Sequence, residues 1–455
     1  MSTANTDGLL IIDGDSHVLE PPDLWDRYLE PEFRPRAIRI TRSIPLRDGE
    51  TRGIAPLASP TGAQAPGAVS EQNMPEMAWE LKARLAADEH LIIDRQVIMS
   101  GGLAGLGGNG VPRANLPYLT YLEGAPLASF DTAERIKLFD SMGVRGGVVF
   151  PTIGILWDTE DPKLADAYSR AYNRWAHDFV GEYPDRIYPM AHISLHDPAD
   201  ALAELRRCLK LGFKGVFLPP EPVLGKSPAH PDFDPLWHEL EDAGLPLCLH
   251  VIVRFNRILE NPTRFHSLLV EPSRTYSFGM GATFQIIPAM ASLVMSGFFD
   301  RFPKLKLLCV EAGAGWAPYI AHRLDEKYEM FGYAEKTKLE PSEYMKRNVF
   351  YVVEPREPYI DHLMDSLGES QFLWGSDYPH VDSSENALEQ VLANAAKLRD
   401  CHRITIQFEA MLGEAGGSSS TPRERPPYGD AGFPVRRRLL FFLAGTHSGR
   451  GRCAP

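Results

Sequence analysis

The sequence predicts an α/β protein built as a (β/α)8 TIM barrel, with a segment inserted after the first strand. Short, strongly apolar runs alternate with amphipathic stretches along most of the chain, the pattern of strands interleaved with helices. Several of these runs end in an acidic or imidazole side chain. Asp15 and His17 close LLIIDGDSHV, His250 closes PLCLHV, Glu311 closes LKLLCVEAG and Asp377 closes FLWGSDYPH. A barrel of parallel strands brings all such ends to one mouth, where its chemistry sits.

The elements follow in order. Residues 9–18 read as the first strand. Residues 41–115 are rich in Gly, Pro and polar side chains, with a helical stretch near 76–90, and read as an insertion over a site because they are too long for a plain connection. From 131 the alternation is regular. DTAERIKLFDSMG reads as a helix, VRGGVVFPTIG as a strand and PKLADAYSRAYNRWAHDFVGEY as a helix. RIYPMAHISL, FKGVFLPP and PLCLHVIV follow as strands, separated by the helices PADALAELRRCLKLG and FDPLWHELEDAG. Asp131 and Pro198 stand where helix starts are expected, and Gly212 and Gly244 where helix ends are. A loop through about 280 precedes an apolar helix, and LKLLCVEAG, NVFYVVE and FLWGSD complete eight strands. An open doubly wound sheet fits less well, because DGDSHV stands where that fold places a glycine-rich phosphate loop.

Residues 1–412 thus read as one barrel domain. From 415 the pattern breaks into a basic tail with seven arginines, no lysine and two acidic residues. It reads as a disordered appendage or as the product of a frame change after MLGE, and carries no catalytic role.

Composition narrows the partners. A net charge of −13 argues against nucleic acid and against anionic membrane surfaces. No apolar stretch approaches the ~20 residues of a membrane span, and the N-terminus lacks the pattern of a secretion signal. Five cysteines without paired spacing, three of them in apolar or helical runs (Cys208, Cys248, Cys309), read as reduced core residues, so the expected compartment is cytoplasmic.

Asp15 and His17 lie two positions apart, hence on one face of a strand. With His250 and Asp377 they form a nitrogen and oxygen donor set suited to Zn, Mn or Fe. Such an ion activates water or polarises a substrate oxygen. Glu311 reads as a general base or as a further ligand holding a second ion, and His380 as an acid or a substrate contact. Arg254 is a candidate anion anchor, while His192, Tyr172, Asn173 and Trp175 read as core.

DGDSHVLEPPDLW, AYNRW, ALAELRRCLKLGFKGVFLPP, PLCLHV and WGSDYPH together resemble the amidohydrolase-2 branch of the amidohydrolase superfamily, over roughly residues 9–412. That branch includes aminocarboxymuconate-semialdehyde decarboxylase and γ-resorcylate decarboxylase. The resemblance implies a divalent metal, one ion or two, held by Asp15, His17, His250 and Asp377. It also implies a small substrate with a carboxylate or carbonyl, and a homodimer. Two departures stand out. The first strand carries Asp15 where the decarboxylases carry His or Glu, and the sixth carries Glu311 where they carry a histidine. Lys214 lies at the start of the fourth strand, so no lysine is placed to bridge two metals. On these grounds the expected function is a metal-dependent hydrolase. A non-oxidative decarboxylase of an aromatic or unsaturated acid is the alternative. An oxygen-using dinuclear iron enzyme and an inactive or structural homologue are further readings.

Overall fold

The eight apolar runs become eight strands: β1 (Ile12–His17), β2 (Gly146–Phe150), β3 (Ile187–Pro189, continued beyond Met190 as Ala191–His192), β4 (Val216–Leu218), β5 (Leu247–His250), β6 (Leu307–Val310), β7 (Val349–Val353) and β8 (Phe372–Trp374). The computed structural model describes residues 11–41, 44–45, 51–52, 88–155, 159–252, 279–280, 283–332, 337–383 and 386–395. Every neighbouring pair within the two ladders β1–β2–β3 and β3–β4–β5–β6–β7–β8 is parallel. All strands but β7, where Phe350 is half-buried, are buried at every position, as their near-continuous apolar sequences require of a sheet covered on both faces.

The barrel closes at two irregular seams. At β3 the chain steps from one ladder to the other: the Met190 N–H donates to the Val149 carbonyl (3.1 Å) and the Ala191 N–H to the Gly215 carbonyl (2.9 Å). Between β8 and β1 the contact is a single parallel bridge, Ser16 with Tyr378. There the His17 N–H donates to the Tyr378 carbonyl (2.6 Å), and the Ser376 and Asp377 N–H groups donate to the Asp15 carbonyl (3.1 and 2.9 Å).

At least one helix follows each strand, and the longest described in each interval are α1 (Thr132–Met142), α2 (Pro162–Val180), α3 (Pro198–Lys210), α4 (Asp234–Asp242), α5 (Thr283–Met295), α6 (Ala317–Phe331), α7 (Ile360–Leu367) and α8 (Ala387–Ala395). Their boundaries follow local chemistry. Asp131, Asp161 and Asp197 accept first-turn N–H groups as N-caps of α1, α2 and α3, and α2 and α3 begin on proline. Gly212 and Gly244 take positive φ beyond the ends of α3 and α4 (86° and 67°), where a side chain would be strained.

The insertion differs from its sequence reading. Its described part includes an antiparallel sheet of Arg39–Thr41, His90–Ile93 and Gln96–Ser100, so the expected helix to residue 90 gives way to a strand that starts at His90. Asp94 and Arg95 form the two-residue turn with φ of 47° and 65°. This is the left-handed pair a tight hairpin demands, here without the glycine that usually announces it. Residues 76–87 and the basic tail lie outside the described residues. Cys208, Cys248 and Cys309 are buried free thiols, as expected. Among the described residues no helix is long and apolar enough to cross a membrane.

Candidate metal centre

The mouth of the barrel is built from strand ends. In β1 the register against β2 shifts between Asp13 and Ser16, a bulge of the kind that re-aims side chains. Asp15 and His17 both point inward beyond it, buried at 3% and 0% exposure. Two glycines let the neighbouring backbones approach. A Cβ on Gly14 would sit 2.8 Å from the Trp374 carbonyl oxygen, and one on Gly375 would sit 2.3 Å from the Asp15 Cβ. Glu311 and Asp377, just past β6 and β8, both take left-handed backbone (φ 61° and 57°). For residues other than glycine this costs on the order of 1–3 kcal/mol and concentrates at functional sites.

The structure brings together every candidate ligand. The Nε2 atoms of His17 and His250 are 3.1 Å apart. The Asp15 Oδ1 lies 3.3 Å from the first and 3.7 Å from the second. The Asp377 Oδ1 is 3.5 Å from His17 Nε2, and the Glu311 Oε2 is 3.6 Å from His250 Nε2. His380 completes the group, its Nδ1 2.8 Å from the Asp377 Oδ1. Donor atoms of His17, Glu311, Asp377 and His380 all lie within 4.8 Å of one another, as do those of Asp15, His17 and His250.

The hydrogen bonds behind these atoms decide what they can do. His17 Nδ1 is 2.8 Å from the Pro151 carbonyl, and His250 Nδ1 is 2.8 Å from the Val251 carbonyl. A carbonyl only accepts, so each Nδ1 carries the ring hydrogen, and a neutral ring presents a lone pair at Nε2. His17 stays neutral, because burial, reinforced by the charge of His380, drives its pKa down to about 3. With both rings neutral, two lone pairs face each other among carboxylate oxygens, and the Asp15 Oδ1 atom is buried without a hydrogen bond. Two of the carboxylates register the same crowding, whereas Asp15, despite burial, is held below the usual range by His17 and His250. Burial and then the charge of Asp377 push Glu311 well above the usual range, and burial followed by Asp382 and Asp15 does the same to Asp377. A divalent cation turns this repulsion into coordination, and two imidazoles with carboxylates fit Mn, Fe or Zn.

Around this centre, Phe150 and Phe217 pack against the His250 ring at 5.1 and 6.0 Å between centroids. Cavities open on either side. One of about 280 Å³ lies at the ends of β3 and β4, lined by Ser194, His196, Leu218 and Pro219 among others. The other, of about 320 Å³, includes Glu311, Glu354, Arg356, Glu357 and Asp382.

The remaining sequence candidates separate clearly. His192 is a core residue, bonded through Nδ1 to the Ser169 hydroxyl (2.8 Å), and Tyr172, Asn173 and Trp175 are buried on α2. Lys214 precedes β4, away from any bridging position. Arg254, and most of the loop expected to line the pocket after β5, lie outside the described residues. Two supporting residues gave no sequence signal. Arg135 on α1 is fully buried: its Nη2 donates to the His17 carbonyl, its Nε donates to the Ala128 carbonyl (2.8 Å) and its guanidinium lies 4.9 Å over the Tyr378 ring. Thr152 donates to the Val18 carbonyl (2.8 Å) and sits 3.1 Å from His380 Nε2.

Known proteins share this architecture. The amidohydrolase family profile matches residues 157–404, more than half of the chain. The chain is 26% identical over 324 residues to γ-resorcylate decarboxylase of Rhizobium sp. (strain MTP-10005), covering 69% of this chain and 84% of that one. An amidohydrolase from Mycobacterium avium subsp. paratuberculosis K-10 superposes with a TM-score of 0.64 at 21% identity, over 86% of this chain and 93% of the other. A dihydroxybenzoic acid decarboxylase from Polaromonas sp. JS666, solved with manganese and 2-nitroresorcinol, gives 0.51 at 20% identity over 62% and 83%. At these identities the two structures speak to the fold alone. With the profile spanning most of the barrel, the chain belongs to the amidohydrolase family.

Proposed function

We propose that the protein is a divalent-metal-dependent, non-oxidative decarboxylase of a small aromatic carboxylic acid, with residues 1–412 as its single catalytic domain. The observation that carries the metal is the pair of Nε2 atoms 3.1 Å apart, flanked by the unpartnered Oδ1 atom of Asp15 and by the Asp377 carboxylate. The curated relatives favour loss of carbon dioxide over hydrolysis: their names are those of γ-resorcylate and 2-amino-3-carboxymuconate-6-semialdehyde decarboxylases. A hydrolase, the first expectation from sequence, has support only from the superfamily as a whole.

Asp15, His17, His250 and Asp377 would hold the ion. When bound, it would grip substrate oxygens and draw off the charge that develops as the carboxyl carbon departs. Decarboxylation breaks a carbon–carbon bond and leaves the electron pair on the ring carbon, which must then take a proton. The His380–Asp377 pair is built to hold one. The Thr152 hydroxyl spends its hydrogen on the Val18 carbonyl, so it must accept from His380 Nε2–H. The 2.8 Å contact of His380 Nδ1 with the Asp377 Oδ1 then requires a proton between them. Glu311, pushed upward by burial, is the second acid within reach of the centre.

The test is product analysis with the manganese-loaded full chain. A panel of hydroxylated benzoic acids should release carbon dioxide and the decarboxylated phenol, with one solvent deuteron entering the ring in deuterium oxide. Turnover of esters, amides or lactones, with none of the benzoates touched, would replace this reading with the hydrolase.

A further inference from the structure

The seam between β8 and β1 carries two of the proposed ligands, Asp15 and Asp377, yet has almost no ladder to hold it. Its geometry is set by a buried carboxylate at 1% exposure, Asp13. The Asp13 Oδ1 accepts the Ser376 N–H (2.9 Å) and the Asp15 N–H (3.2 Å), and its Oδ2 accepts the Ser376 hydroxyl (2.5 Å). The Ser376 oxygen in turn accepts the Tyr378 N–H (3.1 Å). One carboxylate therefore grips the backbone amide of one candidate ligand and both polar groups of the residue preceding the other. Gly14 and Gly375 leave room for this approach, because a Cβ on either would meet the Trp374 carbonyl oxygen or the Asp15 Cβ.

We infer that Asp13 is a positioning residue: its carboxylate staples the strand ends bearing Asp15 and Asp377 and thereby fixes the spacing of the metal centre. Asp13 touches no other candidate ligand's side chain, so its effect reaches the ion only through backbone placement. A ligand pair held by this carboxylate is preorganised. Without it, each ion bound must also order the seam, which weakens affinity. The inference rests on the metal-centre reading above.

Manganese(II) alone is the probe, titrated calorimetrically into chelator-treated full-length wild type, Asp13→Ala, Asp13→Asn and Ser376→Ala, with circular dichroism confirming the fold of each. Wild type should bind, and Asp13→Ala should bind roughly 10–100-fold more weakly. Asp13→Asn keeps an oxygen for the two amides but not both acceptors, so it should fall between. Ser376→Ala, which keeps the amide contact to Asp13 but loses the hydroxyl contact and the acceptor of the Tyr378 N–H, should show the smallest loss. A role confined to stability would lower the melting temperature of the variants but leave the affinity of the folded protein unchanged. Folded Asp13→Ala and Asp13→Asn binding as tightly as wild type would overturn the inference. If Asp13→Ala does not fold, wild-type affinity in both Asp13→Asn and Ser376→Ala does the same. Failure of wild type to bind the ion is a different outcome, and removes the metal-centre reading itself.

Discussion

Two buried polar clusters sit in this barrel, and only one of them is complete. At β3, His192 donates its backbone N–H to the Asn173 Oδ1 (2.9 Å), while Asn173 Nδ2 donates to the His192 carbonyl (2.8 Å) and to the Glu204 Oε1 (2.7 Å). Arg207 closes the set on Glu204 through Nε (2.7 Å) and Nη2 (2.6 Å). Every acceptor there meets a donor. At the mouth, by contrast, the Asp15 carboxylate and the Nε2 atoms of the neutral His17 and His250 rings present acceptors to acceptors. Buried polar groups persist when they are satisfied. The first cluster is therefore structural in itself, and the second makes sense only with a cation.

Breaking the mouth should produce the largest effect. His250→Ala, or His17→Ala, should abolish tight manganese binding and lower turnover by at least roughly 10³-fold. The apoprotein should also melt lower, because either ring packs against Phe150 and holds a backbone carbonyl, so metal affinity is read on the folded protein. Metal content by mass spectrometry and steady-state rates check this. Next comes the proton-holding pair. His380→Gln should keep its metal yet lose about 10²-fold in kcat, the usual scale for a general acid.

The complete cluster should answer in the opposite currency. Asn173→Ala strands the Glu204 and His192 groups it had satisfied, and should cost about 2–3 kcal/mol in denaturant melts. Manganese affinity of the folded variant should be unchanged. A loss of metal affinity in Asn173→Ala would erase the distinction between the two regions.

The smallest effect concerns pH. Glu20 is buried, and burial pushes its carboxyl up to about 7 despite the Thr152, Ile153 and Gly154 N–H groups it accepts. The folded state thus holds this proton more tightly than the unfolded chain. Its contribution to stability is whole below the ordinary carboxylate pKa and is lost as pH rises through 7. Melts should show a fall of about 1 kcal/mol from pH 6 to 8 from this group, and Glu20→Gln, with no proton to lose, should flatten that slope.

Much of this was legible in the sequence, and for a physical reason. Parallel barrel strands are buried on both faces, so LLCV, LCLH and VVF read as apolar runs without ambiguity, and a charged residue closing such a run stands out. Asp15, His17, His250, Glu311, Asp377 and His380 were found that way, and the structure gathers all of them at one mouth. What escaped had signals that point elsewhere. The Gln96–Ser100 hairpin turns on Asp94 and Arg95, which carry no glycine to mark positive φ. Arg135 sits in TAERIKLFD where a charged residue normally faces water, yet it is fully buried beneath His17. Asp13 in DGDSH resembles a turn residue, because its partner Ser376 is 363 positions away. Distant pairings of this kind have no local pattern to read.

What lies between the two imidazoles decides whether the mouth is a metal centre. A manganese-soaked crystal, measured at the metal's absorption edge, tests it most directly. An anomalous peak bounded by His17 Nε2, His250 Nε2, Asp15 and Asp377 is the predicted result. An empty mouth at saturating manganese, with His17 and His250 joined by a hydrogen bond instead, would contradict it.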